Sequence, residues 1–142
     1  MKKAVVIYWS GTGNTELMAE AVAEGAKAAG TEVSLLTAAE AVLEHVAGAD
    51  YVALGCPSMG DEVLEESEME PFVASLQGVV KDKPLALFGS YGWGDGAWMA
   101  DWSDRMKQYG AKLIASGLII NERPNEDGLT SCKELGKTLC QD

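Results

Sequence analysis

Basic residues are scarce in this sequence, which carries 11 Lys and Arg against 22 Asp and Glu and a formal net charge of −11. Nucleic acids and anionic membrane surfaces bind proteins through clustered Lys and Arg, so neither is an expected partner. Long apolar runs are also missing: no stretch approaches the ~20 residues that cross a bilayer. The opening MKKAVVIYWSGTGNT breaks into glycines too early for a signal peptide. We therefore expect a cytoplasmic protein with basic partners.

Cysteine and histidine are rare as well. The sequence has 3 Cys and 1 His, and Cys56, Cys132 and Cys140 contain no CxxC pair. Neither a disulfide framework nor a zinc site is therefore indicated, and we expect reduced thiols and no metal. Cys56 ends an apolar run and is expected to pack as a small hydrophobic side chain. His45 lies near the end of a predicted short helix and is assigned no function.

Apolar runs alternate with amphipathic stretches along the whole chain. The alternation predicts one α/β domain over residues 1–142, with helices on both faces of a parallel sheet in a three-layer sandwich. The predicted strands are Ala4–Tyr8, Glu32–Leu36, Tyr51–Gly55, Leu85–Gly89 and Lys112–Ile120, and the predicted helices are Thr15–Ala29, Ala38–His45, Glu68–Gln77, Ala97–Tyr109 and Thr130–Leu139. Ligands of such sheets lie beyond the carboxyl ends of the strands. The loops after strands one, three and four are therefore the candidate site.

The first of these loops reads SGTGNT, residues 10–15. Its hydroxyls, its glycine amides and the start of the following helix together favour an anion such as a phosphate. The stretch lacks the GK[ST] ending of a Walker A loop, and Glu16 stands where a GxGxxG motif has its third glycine. A tight turn that Ser10 or Asn14 caps is the alternative interpretation.

The second and third loops read GCPSMGDEVLEESEMEPF, residues 55–72, and FGSYGWGDGAWM, residues 88–99. Trp93 stands between two glycines in a predicted surface loop, where an apolar indole is poorly solvated unless something flat covers it. A tryptophan folded back onto the core is the alternative. Met59 in the facing loop makes a flat slot for an aromatic ligand credible. Trp98 and Trp102 have helical spacing and are predicted to pack in the core or at its rim.

The segments YWSGTGNTE, LGCPSMGDEVLEES and FGSYGWGDGAWM resemble the three flavin-binding loops of short-chain flavodoxins of the clostridial type. The resemblance extends in order and spacing along nearly the whole chain and includes KELGK in the last helix. It implies a flavodoxin-like fold, a five-stranded parallel sheet in the order 2-1-3-4-5, and one noncovalently bound FMN. It also implies a low-potential one-electron carrier that works as a monomer between redox proteins.

The same resemblance assigns roles to individual residues. Residues 10–15 would bind the FMN phosphate, residues 59–62 would form a redox-sensitive turn beside flavin N5, and Trp93 would stack on the outer face of the ring. Glu62 would accept a hydrogen bond from flavin N3–H. The expected cofactor-binding residues are Ser10, Gly11, Thr12, Gly13, Asn14, Thr15, Ser58, Met59, Gly60, Asp61, Glu62, Ser90, Tyr91, Gly92, Trp93, Gly94 and Asp95. Whether Asn121 or Glu122 faces the ligand stays open, as does a contact from Trp9.

Two other functions compete with that of an electron carrier. A flavin-dependent reductase needs a second pocket for nicotinamide or quinone, and no insertion in the chain is left to build one. A phosphoacceptor signalling module needs an aspartate at the end of strand one, where Tyr8–Ser10 stand. The six carboxylates between Asp61 and Glu70 favour the carrier, since they disfavour an anionic reduced flavin and attract basic redox partners.

Overall fold

The computed structural model describes residues 2–141, in which strands and helices alternate. The elements are β1 (Lys3–Tyr8), α1 (Asn14–Ala28), β2 (Glu32–Thr37), α2 (Leu43–Ala47), β3 (Tyr51–Gly55), α3 (Met69–Ala74), β4 (Pro84–Tyr91), α4 (Ala97–Gln108), β5 (Lys112–Leu113), β6 (Leu118–Asn121) and α5 (Glu126–Leu139). None of the helices in this range has the length and apolar content needed to span a membrane.

The sheet is parallel, and its strands follow the order β2-β1-β3-β4-β5, with β6 also pairing with β4. This confirms the predicted α/β fold and its 2-1-3-4-5 order. Successive side chains of a strand point to opposite faces: Val5 and Ile7 of β1 pack in one apolar cluster with α4, and Ala4 and Val6 pack in the other with α1 and α5. The molecule therefore has three layers, and the central strands are buried on both sides.

The predicted strand Lys112–Ile120 is wrong as one continuous element. Two short strands, β5 and β6, take the fifth position and pair with the beginning and the end of β4. The chain bends over residues 114–117 between them. A side chain at Gly117 would collide with the sulfur of Met99 on α4, so the interruption lets the backbone pass close to that helix.

Helix boundaries also differ from the prediction. The segment Ala38–His45 is not one helix: the Thr37 amide and hydroxyl both donate to Glu40 Oε1 at 2.9 and 3.0 Å, which closes a turn, and α2 begins only at Leu43. The last helix starts at Glu126, before the predicted Thr130, because Asn125 Oδ1 caps it by accepting from the Gly128 amide at 2.8 Å. The third helix ends at Ala74, before the predicted Gln77.

Helices α1 and α5 approach each other closely at two glycines. A Cβ on Gly25 would overlap the carbonyl of Lys133 in α5, and a Cβ on Gly136 would overlap the carbonyl of Val22 in α1. The two glycines are reciprocal, since each leaves room for the backbone of the other helix. This contact fixes α1, and therefore the loop that precedes it, against the sheet.

The loop from β3 to α3 folds around the carboxylate of Glu65, which is 7% exposed. Its oxygens accept from the amides of Ser67, Glu68 and Met69 at 2.8, 2.7 and 3.0 Å. Burial raises the pKa of Glu65, but the hydrogen bonds from these amides outweigh burial and hold the pKa below its usual 4.5. The Glu65 amide itself donates to Cys56 Sγ at 3.5 Å, so the loop is tied to the end of β3.

Gly136→Ala is expected to lower the free energy of unfolding by roughly 1–3 kcal/mol, because the added methyl group overpacks the α1–α5 contact. At an exposed helix position the same substitution would raise the free energy of unfolding by about 1 kcal/mol, because alanine favours the helix more than glycine does. A decrease therefore indicates the close contact with α1. Urea unfolding followed by circular dichroism measures it. Thr138→Ala, at an exposed position of the same helix, is the control. Unchanged or increased stability of Gly136→Ala would contradict the close contact.

Glu65→Gln is expected to lower the free energy of unfolding at pH 7 by about 1–2 kcal/mol, since the three amides lose a charged acceptor. The folded-state pKa lies below 4.5, so the stabilisation is complete above that value and is lost as the pH falls through the folded-state pKa. Urea titrations from pH 7 to pH 3 should therefore converge for the two proteins. Glu66→Gln, at the exposed neighbour, is the control. A pH-independent difference would show that the charge plays no part.

Candidate functional site

Three loops meet at the carboxyl edge of the sheet and enclose a groove of about 240 Å³. They follow β1, β3 and β4, the strands that the sequence singled out. The groove is lined by Trp9, Gly11, Thr12, Asn14, Pro57, Ser58, Met59, Ser90, Tyr91, Gly92 and Glu122. The structure therefore brings together eight of the expected cofactor-binding residues, drawn from all three loops.

The first loop leads into the N-terminus of α1. Gly13 caps that helix with φ +97°, a conformation that glycine adopts readily. Ser10 Oγ accepts from the amides of Gly13 and Glu16 at 3.1 and 3.3 Å, so Ser10 is the residue that fastens the turn. Within residues 2–141, the amides of Thr12, Asn14 and Thr15 have no hydrogen-bond acceptor. The helix start thus offers an anion three free N–H donors.

A buried hydroxyl pair joins the first loop to the third. Thr15 Oγ1 and Ser90 Oγ lie 2.9 Å apart, and the two residues are 1% and 5% exposed. The Ser90 amide also donates to Thr15 Oγ1 at 3.4 Å. The Thr15 hydroxyl therefore orients Ser90, which lines the groove, and does not itself line it.

The second loop contains a tight hairpin. Met59 and Val63 exchange two backbone hydrogen bonds of 2.9 Å, and Gly60 and Glu62 between them have φ of +47° and +57°. Met59 lines the groove, whereas Gly60 and Asp61 form the exposed tip beside it. A Cβ on Gly60 would meet nothing within 4 Å. The backbone angle, and not space, is therefore what favours glycine at this turn.

Glu62 joins the second loop to the third. Its Oε1 accepts from the amides of Gly96 and Ala97 at 3.2 and 3.1 Å, at the N-terminus of α4. A Cβ on Gly94 would lie 2.5 Å from this carboxyl group, so Gly94 makes room for it. The position suits a carboxylate, because the positive end of the helix dipole faces it.

The third loop ends β4 and begins α4. Tyr91 and Gly92 line the groove, while Trp93 lies outside the lining and is 61% exposed. The alternative in which Trp93 folds onto the core is therefore wrong. The two tryptophans predicted for the core, Trp98 and Trp102, are each 2% exposed, which confirms that prediction.

Three residues of the groove were not among the expected binding residues. Trp9 lines it, and its Nε1 donates to Glu68 Oε1 at 3.1 Å. Pro57 also lines it and carries no sequence signal beyond its place after β3. At the end of β6, Glu122 lines the groove, whereas the Nδ2 of Asn121, the last residue of the strand, donates to the Tyr91 carbonyl at 3.2 Å.

The groove has the donor chemistry that FMN requires. Free amides and the positive end of α1 suit its phosphate, the hydroxyls of Ser58 and Ser90 suit its ribityl chain, and the side chain of Met59 offers an apolar face to its ring. A larger cavity of about 490 Å³ lies between α4 and the β5–β6 connection. Gly96, the N-cap of α4, lines that cavity, but the amides of Gly96 and Ala97 already donate to Glu62. Asp95 and Asp104 also line it, so it suits a phosphate poorly.

Comparison with known proteins matches nearly the whole chain to flavodoxins. The family model described as Flavodoxin matches residues 6–136. The flavodoxin of Clostridium beijerinckii is 45% identical over 134 residues, which is 94% of this chain and 96% of that protein. The flavodoxin of Megasphaera elsdenii is 46% identical over 136 residues, which is 96% of this chain and 97% of that protein.

Comparison with solved structures also matches a flavodoxin. The solution structure of two-electron reduced Megasphaera elsdenii flavodoxin matches with a TM-score of 0.89 and 44% identity, covering 96% of this chain and 98% of that one. The sheet order, the groove at the carboxyl edge and the full-length matches all lead to one assignment. The chain belongs to the flavodoxin family and is an electron carrier whose cofactor is FMN.

Proposed function

We propose that the groove between the three loops holds FMN by noncovalent contacts, and that the chain carries single electrons at low potential between basic redox proteins. It would do so as a monomer in the cytoplasm, with no substrate chemistry of its own. The observation that carries the proposal is the convergence of free amides, hydroxyls and an apolar side chain on one groove. FMN supplies one-electron chemistry, and the protein supplies binding, orientation and electrostatics.

The first loop would bind the phosphate. The free amides of Thr12, Asn14 and Thr15 face an anion at the start of α1, and no Lys or Arg lines the groove. Neutral donors would therefore hold a doubly charged group, as helix N-termini do elsewhere. Ser10 would act indirectly, since its hydroxyl fastens the turn.

The second and third loops would hold the ring. Met59 lines the groove, and Trp93 in the facing loop exposes an indole that a flat ligand can cover. Glu62 uses Oε1 for the amides of α4, which leaves Oε2 as an acceptor for a ring N–H. Gly60, Asp61 and the segment Gly92–Asp95 would border the ring at the exposed edge.

The charges beside the groove favour a low potential. Of the six carboxylates between Asp61 and Glu70, one is neutralised: Arg105 forms a two-pronged ion pair with Glu70 at 2.8 and 2.6 Å. Glu62 and Glu65 accept from backbone amides, which carry no net charge, and Asp61 and Glu66 are exposed. Negative charge close to a flavin disfavours the addition of electrons to it.

The second cavity supports a carrier over a reductase. A nicotinamide nucleotide needs cationic contacts for its phosphates, and the cavity beside α4 offers Lys107 alone against Asp95 and Asp104. Its other polar side chains are the hydroxyls of Ser103 and Ser116. It therefore lacks the chemistry of a nucleotide pocket.

Trp93→Ala is expected to weaken FMN binding by roughly 1–3 kcal/mol, because the ring loses one stacking face. Titration of the apoprotein with FMN, followed by quenching of flavin fluorescence, gives the dissociation constant. Trp93→Phe keeps an aromatic face and should recover part of the affinity. If Trp93→Ala binds FMN as tightly as the parent, Trp93 is not part of the site.

Electron transfer to a basic partner is expected to slow by about tenfold or more between 0.05 and 0.5 M salt, since salt screens the acidic rim. Stopped-flow mixing of the reduced protein with cytochrome c, a basic haem protein, measures the rate. A neutral quinone acceptor is the control and should show no such dependence. A salt-independent rate with cytochrome c would contradict electrostatic docking. Reduction of the oxidised protein by NADH or NADPH alone would favour the reductase.

A further inference from the structure

The first turn of α1 contains a carboxylate, that of Glu16. Gly13 is the N-cap, so Glu16 is the third residue of the helix, and its own amide donates to Ser10 Oγ at 3.3 Å. A glutamate at this position can reach back and accept a hydrogen bond from the N-cap amide. That contact would place a negative charge at the helix start, where the proposed phosphate needs free N–H donors.

The side chain of Glu16 takes a different direction. Tyr8, the last residue of β1, donates from its hydroxyl to Glu16 Oε2 at 2.9 Å. Tyr8 is 8% exposed and packs in the apolar cluster that α1 and α5 cover. Its hydroxyl therefore comes from a fixed position in the core, and it holds the carboxylate beside the end of β1.

The amides at the helix start are consequently left to other groups. The N-cap amide of Gly13 donates to Ser10 Oγ at 3.1 Å, and three further amides of the first loop have no acceptor. In the part of the chain that the structure describes, Glu16 forms no ion pair. The Tyr8 hydroxyl is thus the one side-chain donor there that keeps this carboxylate apart from the amides.

The surroundings of Tyr8 keep its hydroxyl protonated. Burial, followed by the hydrogen bond to Glu16 and the charge of that residue, raises the pKa of Tyr8 from 10.0 to about 12. The carboxylates of Glu20 and Glu40 act in the same direction. The hydroxyl can therefore donate to Glu16 throughout the neutral pH range.

We propose that Tyr8 is a positioning residue for the cofactor phosphate, because it keeps the carboxylate of Glu16 away from the free amides at the start of α1. This inference rests on the proposed FMN groove. Without the hydroxyl, the carboxylate would lose its donor, and the amides of the helix start are within reach of a glutamate in the third position. It would then repel the phosphate and compete for the same N–H groups. The flavin ring, which would lie against the other two loops, would be affected less.

The test compares FMN with riboflavin, which lacks the phosphate and has the same ring. Tyr8→Phe removes only the hydroxyl and is expected to weaken FMN binding about fivefold or more, since a charge is released at the helix start. Riboflavin binding should change by less than about twofold, because the ring contacts are distant from the substitution. Quenching of flavin fluorescence in titrations of the apoproteins gives both affinities, and circular dichroism shows whether each variant is folded.

A second substitution separates positioning from a general structural effect. Tyr8→Phe combined with Glu16→Gln should bind FMN within about twofold of Glu16→Gln alone, because no carboxylate is left to displace. Tyr8→Phe combined with Glu20→Gln removes an exposed carboxylate one turn further along α1 and should not restore binding. Tyr109→Phe removes another hydroxyl that is bonded to a charged side chain, that of Arg105, and should change neither affinity.

Unchanged FMN affinity in Tyr8→Phe would overturn the role of Tyr8. Equal weakening of FMN and riboflavin, or a loss that Glu16→Gln does not restore, would show that the hydroxyl only supports the fold. Restoration by Glu20→Gln as well as by Glu16→Gln would assign the effect to the net charge of α1, which also contradicts the proposal. A parent protein that binds neither FMN nor riboflavin would overturn the proposed groove itself.

Discussion

Parallel pairing of β1, β3 and β4 is the constraint on which the rest of the structure depends. Because the three strands run in the same direction and are neighbours in the sheet, their carboxyl ends lie at one edge. Loops that are far apart in sequence, after residues 8, 55 and 91, therefore face one another across the groove. The groove is a consequence of strand order, and the loop sequences decide what it binds.

Loops of this length need support, and carboxylates supply it by accepting from backbone amides. Glu65 gathers three amides at the start of α3, and Glu62 gathers two at the start of α4. A hydrogen bond between the buried hydroxyls of Thr15 and Ser90 joins the first loop to the third. Each loop is thereby held by a partner outside itself, so the groove keeps its shape without disulfides.

The sequence predicted what depends on local pattern and missed what depends on distant contacts. Alternating apolar runs predicted the α/β class, the resemblance to short-chain flavodoxins implied the strand order, and the glycine and hydroxyl spacing identified the first loop. The fifth strand is interrupted where Gly117 passes close to Met99 of α4, and the Trp9 indole donates to Glu68, which lies 59 residues away. The early start of α5 was a local signal that went unused, since Asn125 followed by Gly128 is a readable N-cap. No periodicity reveals that Glu122, and not Asn121, turns toward the groove, because the positive φ of Glu122 decides it.

The way in which carboxylates hold the loops accounts for part of the acidic composition of the chain. An ion pair in a loop that borders the groove would place a cation there; the pair of Arg105 with Glu70 of α3 involves no residue of the groove. Fixing it with backbone amides leaves the negative charge of the carboxylate in place, since an amide donor has no net charge. The loops that border the groove use amides, through Glu62 and Glu65. The same side chains can therefore hold the loops, keep the groove unfavourable to added electrons and present a negative rim to partners. If Lys or Arg held these loops instead, their positive charge would favour electron uptake in the groove and would weaken the negative rim.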